Sequence, residues 1–227
     1  MAKRFFITGT DTGVGKTWVT SCLMAALRQR DIMGLAIKPI QTGSDCGMDD
    51  ASAYGKLSGC ADINIPRPLY DFPLPASPHL AAHLAGRKIE LEKVLEYIDK
   101  LSRQVDVLII EGAGGLLTPL DAQLTMLDLL TSSEARPVLV TRTCLGTLNH
   151  TALTLRELLR AGHSPCAIVA NDTAPAETEE DTLIKSDNLE HIALISKGAP
   201  VIHFPFVVEP SASHALALGN LLADALI

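Results

Sequence analysis

Short apolar, β-branched runs alternate along this chain with longer stretches of helical periodicity. The apolar runs cover residues 4–10, 34–40, 105–110, 137–141, 167–170 and 201–204, and most lack strict apolar–polar alternation. Strands that are apolar on both faces belong in a parallel sheet covered by helices. Helical stretches are expected between them at 16–30, 91–103, 124–132, 148–161, 177–189 and 212–227. Strand and helix alternate throughout, which predicts an α/β fold: a mostly parallel sheet with helices on both faces and right-handed crossovers. No linker rich in Gly, Ser or Pro splits the chain, and no internal repeat is visible. The Pro-rich stretch 65–78 reads as an ordered loop over the sheet. A single domain spanning residues 1–227 is therefore expected.

Composition narrows the classes. The chain has 227 residues, 47% of them hydrophobic and 20% charged, a globular balance. A formal net charge of -7 disfavours nucleic acid or an anionic membrane as partner. The apolar run after Met1-Ala2-Lys3-Arg4 is too short for a secretory segment, and no run approaches the roughly 20 residues of a membrane span. Five cysteines without CxxC spacing argue against a disulfide framework or a zinc site. His79, His83 and His150 carry no metal-ligand spacing either. A soluble, cytoplasmic protein is expected.

The chemistry concentrates in the segment Gly9-Thr10-Asp11-Thr12-Gly13-Val14-Gly15-Lys16-Thr17, between the first expected strand and the first expected helix. Glycines permit a tight turn in which successive N–H groups face one concavity, and the helix start adds partial positive charge. Lys16 is placed to reach β and γ phosphates, and the Thr17 hydroxyl to ligate Mg2+. The spacing departs from the common G-x-x-x-x-G-K-[ST] pattern, because Thr10 stands where the first glycine would be.

Two further strand ends carry charge. Val107-Leu108-Ile109-Ile110-Glu111 is an apolar strand ending in a carboxylate and followed by Gly112-Ala113-Gly114-Gly115. Ligands of open α/β sheets sit at such carboxyl ends, so Glu111 is placed to meet a metal. Lys38 ends Leu35-Ala36-Ile37-Lys38 before Pro39, a position from which a second ammonium can stabilise transition-state charge. Asp49-Asp50 opens a helix-like stretch, where either residue supplies a metal oxygen or caps the helix.

Taken in order, these segments resemble the dethiobiotin synthetase family, whose own phosphate loop shares the spacing departure. Lys38-Pro39 with Thr42-Gly43-Ser44, Ser77-Pro78-His79, Glu111–Gly115 with Thr118-Pro119-Leu120, Leu145-Gly146 with Asn149-His150, and Asn171-Asp172 extend the resemblance to about residue 172. It implies a P-loop NTPase-like fold and a homodimer with active sites at its interface. The implied reaction is ATP-dependent formation of a cyclic urea from 7,8-diaminononanoate and CO2, with Mg2+ as cofactor and ATP as co-substrate. It implies catalytic Lys16 and Lys38, and a metal held by Thr17, Asp50 and Glu111. It implies nucleotide contacts from Gly13, Val14, Gly15, Lys16, Thr17, Trp18 and Gly114, with Asn171 and Asp172 near the adenine and Pro205, Phe206, Val207 and Glu209 walling the base. Thr12, Lys38, Thr42 and Ser77 are implied at the diamine and carbamate, and Leu145, Gly146 and Asn149 at the substrate carboxylate across the dimer. Two departures stand: some members carry Glu at Gly13, and some a Tyr within 177–189, where this chain has none. The rivals are a cobalamin-type amide synthetase, for which the chain is too short, and a septum-positioning or partition (ParA/MinD-like) ATPase switch. The switch carries a signature lysine where this chain has Asp11, and 211–227 is not basic.

Overall fold

The computed structural model describes residues 2–44, 50–60 and 63–227. In chain order the elements are β1 (Lys3–Gly9), α1 (Lys16–Gln29), β2 (Gly34–Ile37), β3 (Ile40–Thr42), α2 (Asp50–Ser58), β4 (Tyr70–Phe72), α3 (Pro78–Leu84) and α4 (Leu91–Ser102). They continue with β5 (Val107–Glu111), α5 (Met126–Ser132), β6 (Arg136–Arg142), α6 (Thr147–Arg160), β7 (Ala167–Asn171), α7 (Glu179–Ile195), β8 (Val201–Phe204) and α8 (Ala212–Leu226). Among the described residues, six strands form a sheet in the order β2-β5-β1-β6-β7-β8, with every neighbouring pair parallel.

The two-faced apolar character of the strands explains the layering. Successive side chains point to opposite faces, so Phe5 and Ile7 of β1 enter one core while Phe6 enters another. Val107 and Ile109 join Phe5 under α1, α2 and α8, whereas Leu108 and Ile110 pack with α3, α4 and α5. Leu139, Ile168 and Ala170 meet α6 and α7 on that second face. The chain leaves β1 toward β2 on one side of it, and the later crossover from β5 carries the chain past β1 to β6 on the other, so the carboxyl end of β1 opens where the winding reverses.

Three expectations change. The strand expected at 34–40 stops at Ile37, and Ile40 begins β3, which pairs in a separate two-stranded sheet with β4. Pro39 has no N–H to give to a ladder, so the chain leaves the main sheet there. The stretch 65–78, read as a loop, holds β4 and ends at Pro78, the first residue of α3. Three residues of strand are too few to register as a period, and a proline at the first helical position starts a helix instead of breaking one. The helix expected at 177–189 runs on to Ile195, because only Asn188 and Ile192 are buried along it and periodicity carries little signal. Thr178 and Asp181 form the capping box that starts it.

Helix α8 seats itself on α1. A Cβ at Gly219 would overlap the Cys22 carbonyl oxygen and press on Ala26. Gly219→Ala is expected to lower stability by about 1–3 kcal/mol through this overpacking, read as a lower denaturant midpoint with unchanged slope.

Candidate active site

The carboxyl ends of β1, β2 and β5 converge on a cleft of about 710 Å³, whose wall includes Thr12, Gly13, Gly15, Lys16, Thr17, Lys38, Thr42, Asp50, Ser77, Glu111 and Gly114. All eleven were expected at a site from the sequence; Gln41, Pro75, Ala76, Pro78, Ala113, Thr118 and Pro119 complete the wall.

The phosphate loop fills the first part. Gly15 has φ 99, so the loop closes through a left-handed residue, and α1 begins with no side-chain cap. Its first-turn N–H groups therefore have no side-chain acceptor, at a helix start where Gly15, Lys16 and Thr17 line the cleft. Helices α7 and α8 are instead capped by Thr178 and Ser211. Lys16 is 6% exposed and its Nζ donates to the Asp11 carbonyl at 3.0 Å, folding back over the loop. Burial pushes the ammonium down to about 8; Glu111 opposes that shift and Lys38 adds to it.

The loop is braced from outside. Asn171, at the end of β7, donates from Nδ2 to the Val14 carbonyl at 2.9 Å, and a Cβ on Gly15 would overlap that amide. Arg142, at the end of β6, donates from Nη2 to the Thr12 carbonyl at 2.7 Å and lies 3.7 Å from Asp11 Oδ2.

Behind the loop sits a charge cluster. Thr17 Oγ1 is 2.7 Å from Asp50 Oδ1 and 3.1 Å from Glu111 Oε1. Lys38 Nζ forms ion pairs with Asp50 Oδ2 and, at 3.4 Å, with Glu111 Oε1. Burial would lower Lys38, but Glu111 and Asp50 outweigh it and its pKa is raised, so the ammonium stays charged. Tyr54 OH at 2.8 Å and Thr20 Oγ1 at 3.2 Å donate to Glu111 Oε2. Burial, then the nearby Glu111 and Asp50 charges, hold the Tyr54 hydroxyl well above its ordinary range, so it remains a donor. Two carboxylates and a hydroxyl within bonding reach of one point are hard oxygen ligands, and the Lys38 ammonium already stands between the carboxylates as a cation would. The donor set suits Mg2+, which takes few protein ligands and keeps several waters. Asp49, weighed equally with Asp50 at the sequence level, lies outside the described residues.

Other expected residues lie apart from this cleft. Val14 is in the core at 0% exposure, and Trp18 is half-buried against the same core. Asp172 is held by the Thr143 hydroxyl, by Lys185 at 3.5 Å and by His203 Nε2 at 3.3 Å. Past β8, Pro205, Phe206 and Glu209 are exposed and Val207 rests on the core. Leu145, 84% exposed, precedes Gly146, which caps α6 without a side-chain bond; Asn149 is exposed in that helix's first turn. Tyr54, Thr20, Arg142 and Gln41 were not expected. The one available signal was spacing, since Tyr54 stands four residues after Asp50, on the same helical face.

A family model described as an AAA domain matches residues 3–202. An ATP-dependent dethiobiotin synthetase of Lysinibacillus sphaericus (strain C3-41) is 40% identical over 188 residues, covering 80% of each chain. That of Anaeromyxobacter sp. (strain K) is 38% identical over 219 residues, covering 96% of each. The chain belongs to the ATP-dependent dethiobiotin synthetase family. Within this family's chain, the cluster around Lys38 and Glu111 lies inside both the matched domain and its continuous sheet edge. Solved structures of lower identity share the fold alone. They include the cell division ATPase MinD of Pyrococcus furiosus, at TM-score 0.55 and 18% identity over 99% of both chains. A ParA family ATPase of Chlorobium tepidum TLS has TM-score 0.56 and 20% identity, over 99% of this chain and 93% of that one.

Proposed function

We propose that this chain is a dethiobiotin synthetase that carboxylates 7,8-diaminononanoate with CO2 and closes the ureido ring at the expense of ATP. The observation that carries this reading is the presence of two lysines in one cleft, the buried Lys16 of the phosphate loop and the half-buried Lys38 beside it. A simple phosphate-binding loop needs one ammonium. Two are called for when a second anion must approach the nucleotide, because the approach of like charges is unfavourable.

The chemistry is assigned as follows. One amine of the substrate adds to CO2, forming an N–C bond and losing a proton, to give a carbamate. A carbamate oxygen attacks the γ-phosphorus, forming a P–O bond as the bond to ADP breaks. The remaining amine attacks the carbonyl carbon of the mixed anhydride, a C–N bond forms, phosphate leaves with the C–O bonding pair, and the amine loses its proton. Thr12, Thr42 and Ser77 line the cleft and are assigned to the diamine and carbamate. Lys38 neutralises the carbamate, and Lys16 with the loop N–H groups neutralises the γ-phosphate. Thr17, Asp50 and Glu111 would hold Mg2+, which when bound lowers the charge of the triphosphate. Ring closure benefits from having amine and anhydride in one molecule.

Asn171 and Asp172, with Pro205, Phe206, Val207 and Glu209, form the adenine side of this reading. One amide hydrogen of Asn171 is already committed to Val14, so base recognition falls to the rest of that amide and to the 205–209 wall. The substrate carboxylate is assigned to the uncapped start of α6, at Leu145, Gly146 and Asn149 of a second copy. The exposure of Leu145 supports a homodimer that covers it. No helix among the described residues is long and apolar enough to cross a membrane, and the working place assigned to the enzyme is the cytoplasm.

Incubation with the diamine, bicarbonate, Mg2+ and ATP is expected to yield dethiobiotin by mass, with one ADP and one phosphate per product. ATP hydrolysis that ignores the diamine would overturn the assignment and favour an ATPase switch. Turnover with ATP is expected to exceed that with GTP and CTP; equal rates would remove base reading from the Asn171 region.

A further inference from the structure

The two oxygens of Glu111 have different duties. Oε1 faces Thr17 at 3.1 Å and Lys38 at 3.4 Å, on the cleft side. Oε2 faces the interior, where it accepts from Tyr54 OH at 2.8 Å and Thr20 Oγ1 at 3.2 Å. Both donors are 0% exposed. We propose that Tyr54 is a positioning residue for the cation site: with Thr20 it locks Oε2 of Glu111 so that Oε1 alone is presented beside Thr17 and Asp50.

A carboxylate free to turn about its last bond offers either oxygen, or both, and its orientation must be fixed anew at each binding event. Two donors on one oxygen fix the plane beforehand. Groups that orient a ligand in this way commonly change metal affinity by about 10–100-fold when removed. The helical spacing supports the assignment. Asp50 and Tyr54 are four residues apart on α2, and Thr17 and Thr20 three apart on α1, so each helix brings one group to the cation and one to the back of Glu111. A phenylalanine would fill the same space within the core cluster that also holds Val19 and Leu23. The hydroxyl is the part that packing does not require, and a buried hydroxyl is kept where it has a partner.

This inference rests on the reading of Glu111 as a cation ligand given above, and the experiment separates the two. Mn2+ is titrated into the ADP-loaded protein and followed by electron paramagnetic resonance, and ADP affinity is measured separately in excess chelator. Tyr54→Phe is expected to weaken Mn2+ by about 10-fold or more and to leave ADP affinity without metal unchanged. Thr20→Val is expected to weaken Mn2+ as well, and the double variant by less than the product of the two, since both donors serve one oxygen. Unchanged Mn2+ affinity in Tyr54→Phe, or an equal loss of metal-free ADP affinity, overturns the proposal. If Tyr54→Phe loses its cooperative unfolding, Thr20→Val decides alone, and an unaltered Mn2+ affinity there overturns it equally. Failure of the unsubstituted, ADP-loaded protein to bind Mn2+ would instead overturn the cation-site reading itself.

Discussion

Lys38→Ala is expected to lower turnover at least ~100-fold, the scale found when one preorganised electrostatic donor is removed, and at the same time to let the enzyme saturate at lower Mg2+. The two effects have one origin. Lys38 Nζ sits against Asp50 and 3.4 Å from Glu111 Oε1, between the carboxylates assigned to the metal. Ammonium and metal therefore compete for the same negative charge, and removing the first leaves the second with less opposition. What is lost is the cation proposed to face the carbamate. A metal titration of initial rates separates the terms: the plateau should fall and the half-saturating Mg2+ should fall with it. Normal turnover in the alanine variant would refute the role given to this side chain. A half-saturating Mg2+ that rises would mean that Lys38 organises the carboxylates instead of competing for them.

Lys16→Met is expected to lower kcat/KM for ATP at least ~100-fold and to abolish a proton linkage. The Lys16 ammonium is held at about 8, well below its ordinary value, chiefly by burial. Above that pH the unliganded protein has a neutral lysine in the loop, and a triphosphate can engage the ammonium only if a proton is taken up. ATP affinity should therefore weaken as the pH climbs past about 8, with net proton uptake seen by calorimetry in buffers of different ionisation enthalpy. The methionine variant should show neither. Stability moves the other way. Between about 8 and the ordinary value of 10.5 the unfolded chain carries a proton that the folded chain lacks, so stability of the unliganded protein rises with pH through that window. This rise too should vanish in the variant.

Motif residues were legible because their spacing is dictated by what they bind. Lys16 and Thr17 follow from a strand, a glycine turn and a helix start, and Glu111 from an apolar run ending in a carboxylate. Lys38 was legible for a reason the structure sharpens: Pro39 ejects the chain from the sheet, so the residue before it comes to rest at the strand's carboxyl edge. Tyr54 and Thr20 were nearly opaque, since their only signal, a position one helical turn from a motif residue, is shared by many residues that merely fill a core. Only the meeting of α1, α2 and β5 gives them a shared acceptor. Arg142 was opaque for the same reason, its partner Thr12 lying 130 residues away in sequence. The short sheet of β3 and β4 and the helix after it were hidden by prolines that serve as a strand break and a helix start.

Asn171 and Arg142 have a consequence for the kinetics of nucleotide capture. Each is anchored on a rigid strand and each ties down a carbonyl of the phosphate loop, so the concavity is already cast before any guest arrives. Little of the affinity is then spent on ordering a slack segment, and capture should be quick and nearly independent of solvent viscosity beyond the diffusive encounter. Loosening either strut would turn a ready-made mould into one that must set around its cargo, and arrival would become slow before departure became fast.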